Sequence, residues 1–127
     1  MTAKRLEFAV TERFGDPPHA EPDWKAEHLV LAGLARCSLA SLEHSAKRAS
    51  LTVSGTAAAD GVVTKREEDG RYAFVEISCR LDVTLDPPLT GDELQELLAR
   101  AEYGCFVGAS LTAKPRYSWR VNGEAVP

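Results

Sequence analysis

From Leu29 to Leu42 the chain reads Leu-Val-Leu-Ala-Gly-Leu-Ala-Arg-Cys-Ser-Leu-Ala-Ser-Leu, which on a helix is apolar on nearly every side. A surface helix carries one apolar stripe, so a segment of this kind belongs inside the protein with cover on more than one side. Asp23 is placed to cap a helix beginning near Trp24, and Lys47 and Arg48 suit the negative end of its dipole. One small sheet of a 127-residue chain covers only one side of such a helix, which predicts that a second copy supplies the rest, as a homodimer.

The flanking segments read mostly as strands. Leu6, Phe8 and Val10 alternate with Arg5, Glu7 and Ala9, placing a strand at 4–12 before the irregular stretch from Gly15 through Pro22. Leu51, Val53 and Ala57 alternate with hydroxyl residues, and Asp60-Gly61 predicts a turn into Val62-Val63-Thr64-Lys65. Glu67-Glu68-Asp69-Gly70 is the next turn. Every odd position from Ala73 to Leu85 is apolar, the clearest strand in the chain. Thr90 and Glu93 form a capping box for a helix carrying Leu94, Leu97, Leu98 and Ala101, which Tyr103-Gly104 interrupts before a short segment from Cys105 to Leu111. Tyr117, Trp119 and Val121 mark a last strand ending at Asn122-Gly123. The order of strand, buried helix, three strands, helix and strand, with hairpins forcing antiparallel pairing, defines an α+β class.

At this length a single domain over 1–127 is expected. A hydrophobic content of 44% against 27% charged residues is that of a folded chain, and a net charge of −4 argues against a nucleic-acid surface and against anionic membrane lipid. Glu7 stands where a secretory signal needs an apolar run, and no stretch reaches the roughly 20 apolar residues that span a bilayer, so a cytoplasmic location is expected.

Three cysteines without an export signal read as thiols with chemical or packing roles, not as a disulfide framework. Cys79 is in phase with the apolar residues of the long strand and reads as a small core hydrophobe. Cys37 lies on the buried helix, where Ser38, Ser41 and His44 make one side less apolar. Cys105 follows Gly104 at the start of a helical segment, where unpaired N–H groups favour a thiolate. Cys37 and Cys105, 68 residues apart, can approach in the fold, and no Cys-x-x-Cys pair supports a thioredoxin-type or zinc-ribbon reading. His28 and His44 do not combine with Cys37 into a metal site, since only 37 and 44 share a helical face; no metal or cofactor is expected. Arg36 diverges from Cys37 by about 100 degrees around the helix and should face solvent or an acidic partner.

The run Ala26-Glu27-His28-Leu29-Val30-Leu31-Ala32-Gly33-Leu34-Ala35-Arg36-Cys37 resembles the acidic residue, apolar helix and cysteine of the osmotically inducible protein C and organic hydroperoxide resistance (OsmC/Ohr) family. Ala101-Glu102-Tyr103-Gly104-Cys105-Phe106-Val107-Gly108-Ala109-Ser110-Leu111 is similar to its second cysteine motif, and the order agrees over 23–121. The resemblance implies an OsmC-like fold with buried central helices wrapped by antiparallel sheet in an intertwined homodimer. It also implies a thiol-dependent peroxidase that reduces organic hydroperoxides, with Cys37 peroxidatic, Cys105 resolving, Glu27 polarising the site and a lipoyl-type dithiol as reductant. The family's N-terminal arginine maps to Arg13 within Thr11-Glu12-Arg13-Phe14-Gly15, a shortened version of the usual hairpin. Phe106 stands where many relatives have proline, and Arg36 where a small residue is usual.

A thiolate in an apolar setting needs a nearby cation, the role of Arg13, with Glu27 orienting its guanidinium. Attack on a peroxide leaves a sulfenic acid on Cys37, which Cys105 condenses into a disulfide. Leu34, Leu39 and Phe106 either bury an organic tail or simply fill the core. Ten helical residues set Glu27 roughly 15 Å from Cys37, so either the helix breaks or two subunits share the site. A non-catalytic dimeric binding module with both cysteines as passengers is the alternative.

Overall fold

The alternation that opens the chain becomes β1 (Leu6–Arg13), and the apolar run becomes α1 (Ala26–Arg48). These are followed by β2 (Thr52–Lys65), β3 (Tyr72–Asp86), α2 (Gly91–Tyr103), α3 (Phe106–Ser110), β4 (Arg116–Val121) and β5 (Glu124–Val126). The computed structural model describes residues 2–127. One sheet carries the strands in the order β1-β2-β3-β4-β5. Neighbours are antiparallel except β3 and β4, which are parallel because the connection between them carries α2 and α3. The fold is α+β, and the all-antiparallel pairing expected from hairpins gives way at that one junction.

The helix α1 lies on one face of the sheet. Its Leu31, Leu34, Leu39 and Leu42 are buried against Val10, Ala57, Ala59, Ile77, Leu81, Val83 and Leu85, and each leucine removed from water contributes about 1.5–3 kcal/mol. Leu97, Leu98 and Ala101 of α2 and Trp119 and Val121 of β4 extend the same core. The other face of the sheet is wet, and the ion pairs Arg80–Asp60 (3.0 Å) and Arg5–Glu76 (3.3 Å) lie there. The cover on more than one side expected for α1 is incomplete in one chain: Leu29 is 53% and Val30 37% exposed.

Several local expectations are corrected. Asp60-Gly61 is no turn but the middle of β2, which runs unbroken past it. Gly61 is needed there because a side chain would collide with the Phe74 ring, while Asp60 pairs with Arg80 across the wet face. The strict odd-position rule of β3 holds from Ile77 to Leu85 but fails before it. The β2–β3 register slips between Val62 and Val63, leaving Val75 unpaired and turning Phe74 inward against Phe8, with ring centroids 6.5 Å apart. Asp23 does not cap α1; the helix begins two residues after Trp24, where the Lys25 N–H donates to His28 Nδ1 at 2.8 Å. Thr90 occupies the N-cap of α2 without a side-chain cap bond. Asn122 (φ 50) and Gly123 (φ 84) do not end the sheet but turn the chain back into β5.

Gly55 is the most constrained backbone position. It has φ +136, and a side chain would strike the Asp82 carbonyl oxygen and come within 2.7 Å of Val83 Cα on the paired strand. Gly55→Ala is therefore expected to destabilise the fold by roughly 2–4 kcal/mol, through left-handed strain and forced separation of β2 from β3. Urea unfolding measures this, and a loss below about 0.5 kcal/mol contradicts it.

Candidate functional site

Four elements converge on a cluster of thiols and hydroxyls. The central turns of α1 supply Cys37 and Ser38, the inner face of β3 supplies Cys79, Cys105 sits at the N-cap of α3, and β4 directs Tyr117 inward. The thiols of Cys37 and Cys105 are close enough for each to bear on the ionisation of the other. Ser38 Oγ lies 3.5 Å from Cys105 Sγ, donates to the Leu34 carbonyl at 2.9 Å and accepts from Cys79 Sγ at 3.8 Å. The Tyr117 hydroxyl faces Cys105 and Ser38. All three sulfurs are free thiols.

Their environments differ. Burial, then the adjoining charge of Cys105, raises the Cys37 pKa above the ordinary thiol value, although the Val107 and Phe106 N–H groups oppose this. Burial also works against charge on Cys105. The hydroxyls of Ser38 and Tyr117, the Gly108 N–H and the Cys37 thiol together outweigh it and bring the Cys105 pKa below the ordinary value. Cys79 is pushed up to about 11, chiefly by burial, and remains a thiol. Tyr117 is raised by burial and by its bond to Cys105, so it stays a protonated donor.

Cys105 is 0% exposed, whereas Cys37 opens on a cleft of about 510 Å³. Ala40, Ser41, Gly104 and the 80% exposed Phe106 line the cleft, with His44, Ser45 and Arg100 at its far side. Leu34 and Leu39, considered for an organic tail, are core residues; of the three, only Phe106 lines the cleft.

Arg13 and Glu27 are not brought to Cys37 within one chain. Arg13 is exposed on β1, and the strand's alternation turns it to the wet face, opposite Glu12, which points toward α1. Glu27 lies in the first turn of α1, which is continuous to Arg48, so the helix does not break to close the ten-residue gap. Arg36 finds the acidic partner expected of it: its Nε donates to Glu12 Oε1 at 2.5 Å, and its terminal nitrogens donate to the Asp16 and Pro17 carbonyls at 3.0 and 2.7 Å. The Glu12 side chain is fully buried, with His19 Nε2 3.8 Å from its second oxygen. Among the described residues no group of three or more His, Cys, Asp or Glu is arranged to hold a metal ion, and no helix is long and apolar enough to cross a membrane.

Ser38 entered the sequence reading only as a sign of a less apolar helix side, Cys79 only as core, and Tyr117 only as a strand marker. What identified none of them as members of one cluster is that they meet across three elements. The one available signal was phase: Cys79 is in register with the buried Leu81 and Leu85, and Tyr117 with Trp119 and Val121, so both point inward carrying polar atoms.

With this geometry in hand, the comparisons with known proteins are specific. The family model for OsmC-like proteins matches residues 19–120, and the chain belongs to that family. Among solved structures it is similar to an OsmC-like protein from Mycoplasma pneumoniae, with a TM-score of 0.67 and 18% identity over 95% of this chain and 99% of that one. It is also similar to an OsmC-like protein of unknown function from Vibrio cholerae, with a TM-score of 0.65 and 18% identity over 74% of this chain and 62% of that one. The chain thus spans less than two thirds of the Vibrio protein. An organic hydroperoxide resistance protein OsmC from Legionella pneumophila aligns with a TM-score of 0.54 and 17% identity over 90% of this chain and 96% of that one. At these identities the likeness is one of fold. None of the curated proteins compared with the chain matches it.

The raised pKa of Cys37 has a measurable consequence. Its alkylation by iodoacetamide should rise with pH only above the range of an ordinary exposed thiol, because the folded protein holds the proton on sulfur. Cys105→Ser removes the adjoining charge and should move that profile to lower pH. A profile that stays in place or moves upward contradicts the coupling of the two sulfurs.

Proposed function

We propose that the chain is a thiol-dependent peroxidase that reduces organic hydroperoxides, with Cys37 as the peroxidatic and Cys105 as the resolving thiol. The observation that carries this is the pairing of a buried thiol with a neighbouring one at the wall of a largely apolar cleft, the outer one open to a ligand. Support also comes from family membership and from the likeness to the organic hydroperoxide resistance protein of Legionella.

In this mechanism Cys105, the easier of the pair to ionise, takes the Cys37 proton as a hydroperoxide enters the cleft. The Cys37 thiolate attacks one peroxide oxygen, the O–O bond breaks, and the alkoxide leaves as the alcohol by taking the proton from Cys105, which becomes a thiolate again. Cys37 becomes a sulfenic acid. The Cys105 thiolate then attacks the Cys37 sulfur, hydroxide leaves as water on protonation, and a disulfide forms. A dithiol of the lipoyl class returns both cysteines to the reduced state. The organic tail lies along Ala40 and Phe106, whose apolar surface favours alkyl over hydrogen peroxide.

We propose in addition that two copies associate through the exposed face of α1 around Leu29, Val30 and Gly33, and that Arg13 and Glu27 act on the Cys37 of the opposite subunit. The exposure of two large apolar residues on the most apolar helix supports this, as does the open space over Gly33. Sedimentation velocity should give a dimer; a monomer at assay concentration removes Arg13 and Glu27 from the site.

The activity is tested by mixing purified protein with cumene hydroperoxide and a dihydrolipoyl reductant. Wild type should turn over at least roughly 100-fold faster than Cys37→Ser, since the nucleophile is lost. Equal rates would leave the non-catalytic binding module as the better description.

A further inference from the structure

Cys105 and Cys37 differ in access and in surroundings, and both differences bear on how a disulfide between them is opened. Thiol–disulfide exchange requires the incoming thiolate to reach one sulfur while the other departs, and it is faster when the departing thiolate is stabilised. Cys37 lines the cleft, whereas Cys105 has no exposed surface. Around Cys105 stand the Ser38 hydroxyl at 3.5 Å, the Tyr117 hydroxyl and the Gly108 N–H. Ser38 also donates to the Leu34 carbonyl, so its single proton is divided between two acceptors. Tyr117 has Cys105 and Ser38 as its polar neighbours, so its hydroxyl is the second donor to Cys105 after Ser38. Gly108 keeps this approach open: a side chain there would collide with Tyr117 Oη and come within 3.4 Å of Cys105 Sγ.

We propose that Ser38 and Tyr117 together hold Cys105 as the departing thiolate when an external dithiol opens the Cys37–Cys105 disulfide, so that the reductant attacks Cys37 and never Cys105. This rests on the proposed thiol pairing but not on the peroxide that would form the disulfide. In the first step the thiolate of the dithiol bonds to Cys37 Sγ. The Cys37–Cys105 bond breaks, and its electron pair departs with Cys105 Sγ into the bonds donated by Tyr117 and Ser38. In the second step the other thiol of the reductant, having lost its proton, attacks the reductant sulfur bound to Cys37. The reductant closes to a cyclic disulfide, and Cys37 leaves as a thiolate and takes up that proton. One dithiol is oxidised and one protein disulfide is reduced.

Cys79 contributes indirectly. Its thiol donates to Ser38 Oγ at 3.8 Å and so helps to fix the hydroxyl beside Cys105. Because Cys79 remains a thiol, it adds no second negative charge beside the departing sulfur.

The test uses a disulfide made with diamide, so it needs no peroxidase activity. Reduction by dithiothreitol, followed by acid quench and mass spectrometry, should be roughly 10-fold slower in Tyr117→Phe and in Ser38→Ala alike. In a Cys37→Ser background, Tyr117→Phe should move the ultraviolet thiolate titration of Cys105 to higher pH, an effect that a merely structural role would not produce. Glutathione in limiting amount should leave its adduct on Cys37 of the wild-type protein. An adduct on Cys105, a Tyr117→Phe reduction rate within about twofold of wild type, or no Cys37–Cys105 disulfide after diamide would each overturn the proposal. If Tyr117→Phe fails to fold, the wild-type adduct and Ser38→Ala decide the matter. If hydroperoxides do not oxidise the protein while the diamide disulfide behaves as described, the peroxidase reading fails and the role of Tyr117 stands.

Discussion

The packing of α1 on the inner face of the sheet is the contact on which everything else depends. Leu31, Leu34, Leu39 and Leu42 anchor the helix rotationally, and with it the directions of the residues between them. Ser38 is carried inward with the leucines and becomes a buried hydroxyl, while Cys37, one position earlier, is carried to the rim, where one side of its sulfur meets Cys105 and the other the cleft. A register change in this helix would separate all the polar atoms of the cluster at once.

A second device holds the same part of α1 from the opposite side. Arg36 spans the gap to β1 and the following loop through Glu12 and two backbone carbonyls. Glu12 is fully buried, so Arg36 is what makes that carboxylate tolerable away from water. The ion pair is adjacent in sequence to Cys37 but points elsewhere, and it ties the loop from Phe14 to Pro22 down over the helix. Arg36 thus serves a structural partnership with the N-terminal strand.

Within the cluster, the asymmetry of the two thiols follows from simple chemistry. Cys105 is more buried, yet it is the sulfur better able to carry charge, because hydroxyl and amide donors surround it; Cys37 has the access but fewer donors. Access and charge stabilisation are thus divided between two neighbouring thiols. Cys79, more deeply placed beside Ser38, joins the network as a thiol that does not ionise.

Local pattern was enough to determine the strong elements: the apolar helix, the odd-position face of β3 from Ile77 to Leu85, the break at Tyr103-Gly104 and the resemblance to the family that the chain belongs to. These depend on periodicity and on neighbouring residues, which the order of amino acids records directly. Asp60-Gly61 deceived because a turn dipeptide and a glycine making room for an aromatic ring look the same until Phe74 is in place. The inward turn of Phe74, the parallel pairing of β3 with β4 and the meeting of Ser38, Cys79, Cys105 and Tyr117 arise from contacts between segments tens of residues apart. Only the tertiary structure decided them, because hydrogen bonding and burial there depend on where a second element lands.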